Sequence, residues 1–175
     1  MIIINKITTK TGDLGETLGP NSKKIPKHDI HIEFFGILDE ANVALGSAIF
    51  FCNNKLIKHI LKLLQHQLFD VGAAFYTQKE NDLEKMINFL ESNILKFNQG
   101  LKPLNSFLLP YGKQNIISLR QARCCVRKTE RCFWQCKNQS SKIGVYLNRL
   151  SDLLFVFIRK THIKENKWNH SSSNF

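Results

Sequence analysis

The chain has 175 residues, 43% hydrophobic and 22% charged, enough apolar mass for one domain with a core, which excludes a disordered or collagen-like chain. Nine glycines and four prolines are too few for a turn-rich all-β sandwich. Lys and Arg outnumber Asp and Glu by 25 to 14, a net charge of +11, which implies a polyanionic partner (nucleic acid, an acidic membrane surface or a phosphate-rich small molecule) or a drift toward lysine with no partner at all.

The start, Met1 to Lys6, has no basic segment followed by an apolar one and does not read as a signal or transit peptide, so a cytoplasmic protein is expected. Residues 1–28 concentrate Thr, Gly, Lys and Pro and read as irregular, with a short extended piece over Ile2 to Thr8. Asp29 is placed to cap a first helix running to about Phe51, with Ile32, Phe35, Leu38, Val43 and Ile49 as its apolar surface. The longest apolar stretches, near Ala41 to Cys52 and Leu153 to Ile158, read as too short to span a bilayer. Asn53 and Asn54 break that helix. A second follows from Lys55 to Tyr76, with Leu56, Ile60, Leu63, Leu64, Leu68, Val71 and Phe75 at three- and four-residue steps.

Asn81 or Asp82 opens a third helix, which Gly100 stops. Residues 101–113, punctuated by Pro103, Pro110 and Gly112, form a loop apolar enough to pack on something or to cover a site. A fourth helix is predicted over Gln114 to Lys137 and a fifth over Ile143 to His162, followed by a loose polar tail apart from Trp168. Five helices with short connectors predict an all-α, five-helix antiparallel bundle. Four of the five cysteines, at 124, 125, 132 and 136, fall in the predicted fourth helix. Buried inert thiols are expected there, with a soft-metal site as the lesser alternative.

Three segments carry more than packing. The first is Thr8-Thr9-Lys10-Thr11-Gly12-Asp13-Leu14-Gly15, followed by Thr17, Lys23, Lys24 and Lys27. Glycines admit a close ligand, and hydroxyls, backbone N–H groups and ammoniums all donate to phosphate oxygens, although the spacing is not that of a Walker A loop. The second places Arg120, Arg123, Arg127 and Arg131 in one helical stripe beside Leu119, Ala122, Val126 and Phe133. Stacked guanidiniums repel unless an anion or carboxylates sit among them, and Glu130 is spaced to orient Arg127. The third is Tyr146 to Val156, where Asn148 and Asp152 face the same way and Arg149 neighbours Asp152. Such polar groups on an apolar helix need partners, either as crosslinks between helices or as holders of a nucleotide and its Mg²⁺.

Together these segments resemble the propanediol-utilisation type of ATP:cob(I)alamin adenosyltransferase (corrinoid adenosyltransferase). That family's T-[KR]-T-G-D-x-G loop matches Thr9 to Gly15, and its basic, Pro-containing segment matches Lys23 to Asp29. Its E-x-x-G-x-x-D-E helix start matches Glu33 to Glu40, and its S-F-[IL]-L-P-x-G loop matches Ser106 to Gly112. Its R-x-x-x-R-[RK]-x-E-R helix matches Arg123 to Arg131, its Y-L-N-R-L-S-D-L-L-F segment Tyr146 to Phe155, and its late Trp is Trp168.

The resemblance implies a ferritin-like, cobalamin adenosyltransferase-like bundle over residues 1–163 as a single domain, with 1–28 as an ATP-binding loop and 164–175 as a tail. It implies a homotrimer with active sites between subunits, and ATP with Mg²⁺ and cobalamin as the ligands. Thr9, Lys10, Thr11, Gly12, Asp13, Gly15, Thr17 and Lys27 would bind ATP from the loop. Arg127, Lys128, Glu130, Arg131 and Asn148 would bind it from the bundle. Asp39 and Arg123, paired across the subunit interface, and Phe107, against the lower face of the corrin, would form the cobalamin side. Asp39, Phe107, Arg123 and Arg127 would be the catalytic set, with no metal ligand assigned. A cob(II)alamin reductase and an adenosylcobalamin-dependent enzyme are implied partners, with no nucleic acid and no membrane.

Three departures stand out: Glu16 to Ser22 lacks a second Gly-rich stretch, Lys128 replaces an arginine, and Tyr111 stands where small residues are common. These touch turnover more than function. Two rival readings are a catalytically weak ATP- and corrinoid-binding delivery protein and a basic helical nucleic-acid-binding protein.

Overall fold

The computed structural model describes residues 7–79, 82–137, 140–162 and 166–169. Most of the expected extended piece at Ile2 to Thr8, the Asn81 helix start and most of the polar tail lie outside them. Five helices form: α1 (Ile30–Phe51), α2 (Lys55–Thr77), α3 (Leu83–Asn98), α4 (Gln114–Phe133) and α5 (Ser141–Thr161). α1 packs on α2 and α4, α4 packs on α5, and α5 packs on α3. The five-helix bundle is the expected one.

Local chemistry sets most helix starts. The Asp29 carboxylate accepts from the His31 N–H at 2.8 Å and caps α1. Asn54 accepts from Leu56 and Ile57 at the start of α2, and Ser140 accepts from Lys142 at the start of α5. α4 ends at Phe133, four residues short of the expected Lys137, with Trp134 as its C-cap, its N–H still bonded to the Glu130 carbonyl and its ring against Gly144 of α5. A Cβ there would come within 2.2 Å of the indole.

The core is one continuous cluster. Phe34, Phe75 and Phe133 are buried and stack around one another, with the Phe34 and Phe75 centroids 4.2 Å apart. Tyr146 is fully buried, and its hydroxyl donates to Gln67 Oε1 at 3.0 Å. That burial pushes its phenol pKa up. An amide clasp joins α1 to α2: Gln65 Nε2 donates to the Asn42 carbonyl at 3.0 Å and Asn42 Nδ2 to the Gln65 carbonyl at 3.3 Å. Val43, expected in the core, is exposed on the outer face of α1 together with Phe50.

The membrane expectation needs one correction. At 22 residues, α1 is long and apolar enough to cross a bilayer by length and composition, although half of that window is buried inside the bundle. Residues 7–28 are less irregular than expected. β1 (Glu16–Leu18) and β2 (Lys24–Pro26) pair antiparallel, joined through Gly19 and one 3₁₀ turn at Pro20–Ser22. Gly19 is required there, since a Cβ would strike the Ile25 side chain at 2.2 Å.

Candidate active site

The first cluster is the turn that leads into β1. Lys10 takes a left-handed conformation (φ 59°) and Gly15 another (φ 80°), and the chain closes on itself through Asp13 N–H to Lys10 O and Gly15 N–H to Gly12 O. The Thr9 and Thr11 hydroxyls lie 3.0 Å apart. Lys27 N–H donates to the Gly15 carbonyl at 2.8 Å, returning the chain alongside. The Lys27 ammonium then lies over Gly12, where a Cβ would sit 2.9 Å from it. The structure thus brings the glycine turn, two threonine hydroxyls and Lys27 together, with Thr17 one strand position on. The hairpin is fastened to α2 through the Ser22 and Tyr76 hydroxyls, 3.3 Å apart.

The second cluster lies across α4 and α5. Arg127 and Arg131 are exposed, Glu130 and Asn148 half-buried. Asn148 Nδ2 donates to Glu130 Oε1 at 3.3 Å, and Arg131 Nη1 donates to the Arg127 carbonyl at 3.0 Å. The expected pairing of Glu130 with Arg127 does not form; the carboxylate instead accepts from Asn148 on the facing helix through Oε1. Arg149 likewise does not go to Asp152. Its Nε donates to Glu91 Oε1 at 2.9 Å and its Nη1 to Asn148 Oδ1 at 2.8 Å. Lys128 Nζ donates to Glu40 Oε2 of α1 at 2.8 Å, a hydrogen bond that raises the ammonium pKa. Among the described residues, no hydrogen bond or ion pair joins the N-terminal turn to these α4 and α5 groups.

The third cluster is a cavity of about 690 Å³ lined by loop residues 104–108, Arg120, Arg123, Phe155 and Trp168. Phe107 stands 82% exposed on its rim. The C-terminal segment is not loose here. Trp168 N–H donates to Phe107 O, Leu109 N–H donates to Asn166 O, and Ser106 Oγ donates to Trp168 O at 2.7 Å. The Trp168 ring meets Phe107 edge to face at 6.4 Å. Arg123 lays its guanidinium over Phe155, 5.0 Å from the ring centroid, and its buried Nε finds no acceptor. Burial, and then the neighbouring Arg127, lower its pKa. Asp39 is exposed on α1, and no hydrogen bond or ion pair of its side chain is found among the described residues.

Arg120 is the one member of the arginine stripe with no role expected of it that now faces the cavity, and its place in the stripe was the signal. Phe155 was quoted only as part of a motif. Glu91 and Glu40, which hold Arg149 and Lys128, were not expected. The first carries no sequence signal, because α3 contains no motif. Cys132 and Cys136 are buried, and burial pushes the Cys136 thiol up to about 12, so these act as inert core thiols.

The profile of the cobalamin adenosyltransferase family matches residues 7–161. The corrinoid adenosyltransferase of Mycobacterium tuberculosis (strain ATCC 25618 / H37Rv) is 34% identical over 171 residues, covering 89% of this chain and 88% of its own. That of Mus musculus is 33% identical over 177 residues, covering 93% of this chain and 75% of its own. Among solved structures, a phenylalanine-to-alanine variant of the PduO-type ATP:corrinoid adenosyltransferase from Lactobacillus reuteri, complexed with cobalamin and ATP, superposes with a TM-score of 0.86 at 25% identity. It covers 94% of this chain and 100% of its own. An arginine-to-lysine variant of that enzyme complexed with ATP gives 0.81, at 25% identity over 93% and 100% of the two chains. The profile spans nearly all of the helix bundle and the glycine turn before it, and on that match this chain belongs to the cobalamin adenosyltransferase family.

Proposed function

We propose that the protein transfers the 5′-deoxyadenosyl group of ATP to the cobalt of cob(I)alamin, giving adenosylcobalamin and triphosphate. The observation that carries this reading is the cavity lined by Phe107, Phe155 and Trp168 together with Arg120 and Arg123 of α4, the helix that also carries Arg127 and Arg131. One side suits a corrin macrocycle and the other a polyphosphate. The +11 charge then answers to a nucleotide rather than to nucleic acid.

Cobalt(I) is itself the nucleophile. Its electron pair forms the bond to C5′ while the C5′–O bond breaks and its electrons leave on the triphosphate oxygen. The protein needs no side-chain nucleophile for this. It holds C5′ in line with cobalt and neutralises the leaving group. Thr9, Lys10, Thr11, Gly12, Asp13, Gly15, Thr17 and Lys27 supply donors and close backbone approach on the loop side. Arg127, Lys128, Glu130, Arg131 and Asn148 supply the bundle side. Among the described residues no group of three or more His, Cys, Asp or Glu side chains could cage an ion, so we assign Mg²⁺ to the triphosphate and not to a protein site. Phe107 crowds the lower corrin face and keeps a lower ligand off cobalt, which eases reduction to cobalt(I).

We read the assembly as a homotrimer that completes each site between neighbours over residues 1–163. The lack, among the described residues, of any hydrogen bond or ion pair between the loop cluster and the α4–α5 cluster within one chain supports this. So does the unpaired, exposed Asp39, available to a neighbour's Arg123, whose Nε is buried without an acceptor.

The test is anaerobic. Hydroxocobalamin is reduced chemically, protein and MgATP are added, and the spectrum is followed for the light-sensitive adenosylated product. Product with the wild type and little with Arg127→Ala is expected. A wild type that binds both ligands and makes no product would favour a delivery protein.

A further inference from the structure

A chain of hydrogen bonds crosses the bundle from a helix without any motif to the nucleotide side of the site. Glu91 on α3 accepts from Arg149 Nε at 2.9 Å; Arg149 Nη1 donates to Asn148 Oδ1 at 2.8 Å; Asn148 Nδ2 donates to Glu130 Oε1 at 3.3 Å. Arginine has donors and no acceptor, so the Asn148 oxygen must face Arg149, and its amide nitrogen must face Glu130. A flipped amide would set N–H against N–H and leave Glu130 facing an oxygen. The orientation of Asn148 is therefore dictated from behind, by a guanidinium that is itself held by Glu91.

As an ion pair, Glu91–Arg149 earns little: both side chains are more than a third exposed, at 46% and 38%, and such pairs add little to stability. Their geometric effect is larger. One amide hydrogen of Asn148 and the Oε2 of Glu130 remain without a protein partner among the described residues. We infer that Glu91 and Arg149 are positioning residues that fix the Asn148 amide and the Glu130 carboxylate for ATP. Glu91 acts only through Arg149, and this rests on the ATP-side reading of Asn148 and Glu130 given above.

The test is a double-mutant cycle in the full-length protein, with chemically reduced cob(I)alamin in excess and MgATP varied. Glu91→Ala is expected to raise KM for ATP by roughly five- to tenfold, the size of coupling seen between members of one hydrogen-bond network. It is expected to leave kcat within about twofold, because no group that touches the reacting atoms is lost. Arg149→Lys keeps the charge but cannot reach both partners, and it should reproduce the effect, while Glu91→Gln, which keeps an acceptor, should recover most of the affinity. In an Asn148→Ala background, Glu91→Ala should add nothing. An unchanged KM in Glu91→Ala, or the same increment with and without Asn148, overturns the inference while leaving the ATP reading intact. An Asn148→Ala variant with wild-type KM removes the ATP reading, and this inference with it.

Discussion

Phe107 keeps 82% of its surface in solvent, a poor place for a large aromatic side chain unless a ligand covers it. Four hydrogen bonds, two between backbone groups and two from the Ser106 hydroxyl and the Lys167 ammonium, hold its loop to residues 166–168, so its position is set even though its ring is exposed. Replacing it should therefore separate function from stability. Phe107→Ala is expected to slow adenosylation by roughly ten- to a hundredfold, the scale of losing alignment at the reacting centre. Its unfolding free energy should move by no more than about 0.5 kcal/mol, as for other surface substitutions. Comparing turnover with a urea melt checks both. A large loss of stability would make the residue part of the core instead.

At the scale of elements, the ends of α1 and α4 illustrate what a sequence tells and what it withholds. The start of α1 was legible because its cause is local: an Asp one residue before an apolar period, capping with its own carboxylate. His31 bonds that carboxylate through its N–H and its ring and holds its pKa below the usual value of 3.8. Removing the cap in Asp29→Ala should cost about 1 kcal/mol at neutral pH. Because the folded-state pKa is the lower one, the unfolded chain binds the proton first. The stabilisation is full above the unfolded value and fades as pH falls through the folded one. Wild type and Asp29→Ala should then begin to converge in stability as pH falls below about 3.8 and meet below the lower folded-state value, measured by denaturant melts across the acid range. A gap that persists in acid would mean that the uncharged side chain, not the carboxylate, matters.

The end of α4 was not legible. Residues 134–137, Trp-Gln-Cys-Lys, contain no Gly, Pro or Asn to stop a helix. The stop is tertiary: the Trp134 ring occupies the space over Gly144. Gly144→Ala should strain this contact and destabilise the fold by about 1–3 kcal/mol, as overpacking does. An unchanged melting temperature would show that Trp134 swings away without cost. The β1–β2 hairpin escaped notice for a related reason. Its strands are three residues long, too short for an alternation, and they depend on Gly19 packing against Ile25. The site itself was legible wherever a motif ran along one helix or loop. The partners that aim it, Glu91 for Arg149 and Glu40 for Lys128, come from other helices, at separations of 58 and 88 residues, which no local pattern encodes.

For the whole molecule, the decisive feature is that, among the described residues, no hydrogen bond or ion pair joins the two halves of the proposed site. The glycine turn with Lys27 is anchored on α2, while Arg127, Glu130 and Asn148 belong to the α4–α5 face. If a neighbouring copy supplies the missing half, a Lys27→Ala chain and an Arg127→Ala chain, each inactive alone, should regain part of the activity when unfolded together and reassembled. No recovery in verified mixed oligomers would place both halves in one chain. A neighbouring copy would also cover Phe107, Asp39, Val43 and Phe50, which stand exposed in this chain.

The central claim is that carbon, not phosphorus, is the electrophilic centre of ATP. Phosphorus NMR of the anaerobic reaction with cob(I)alamin tests it directly. Intact triphosphate is expected, formed in equal amount to adenosylcobalamin. ADP and phosphate, or AMP and pyrophosphate, appearing without a cobalt–carbon bond would contradict it.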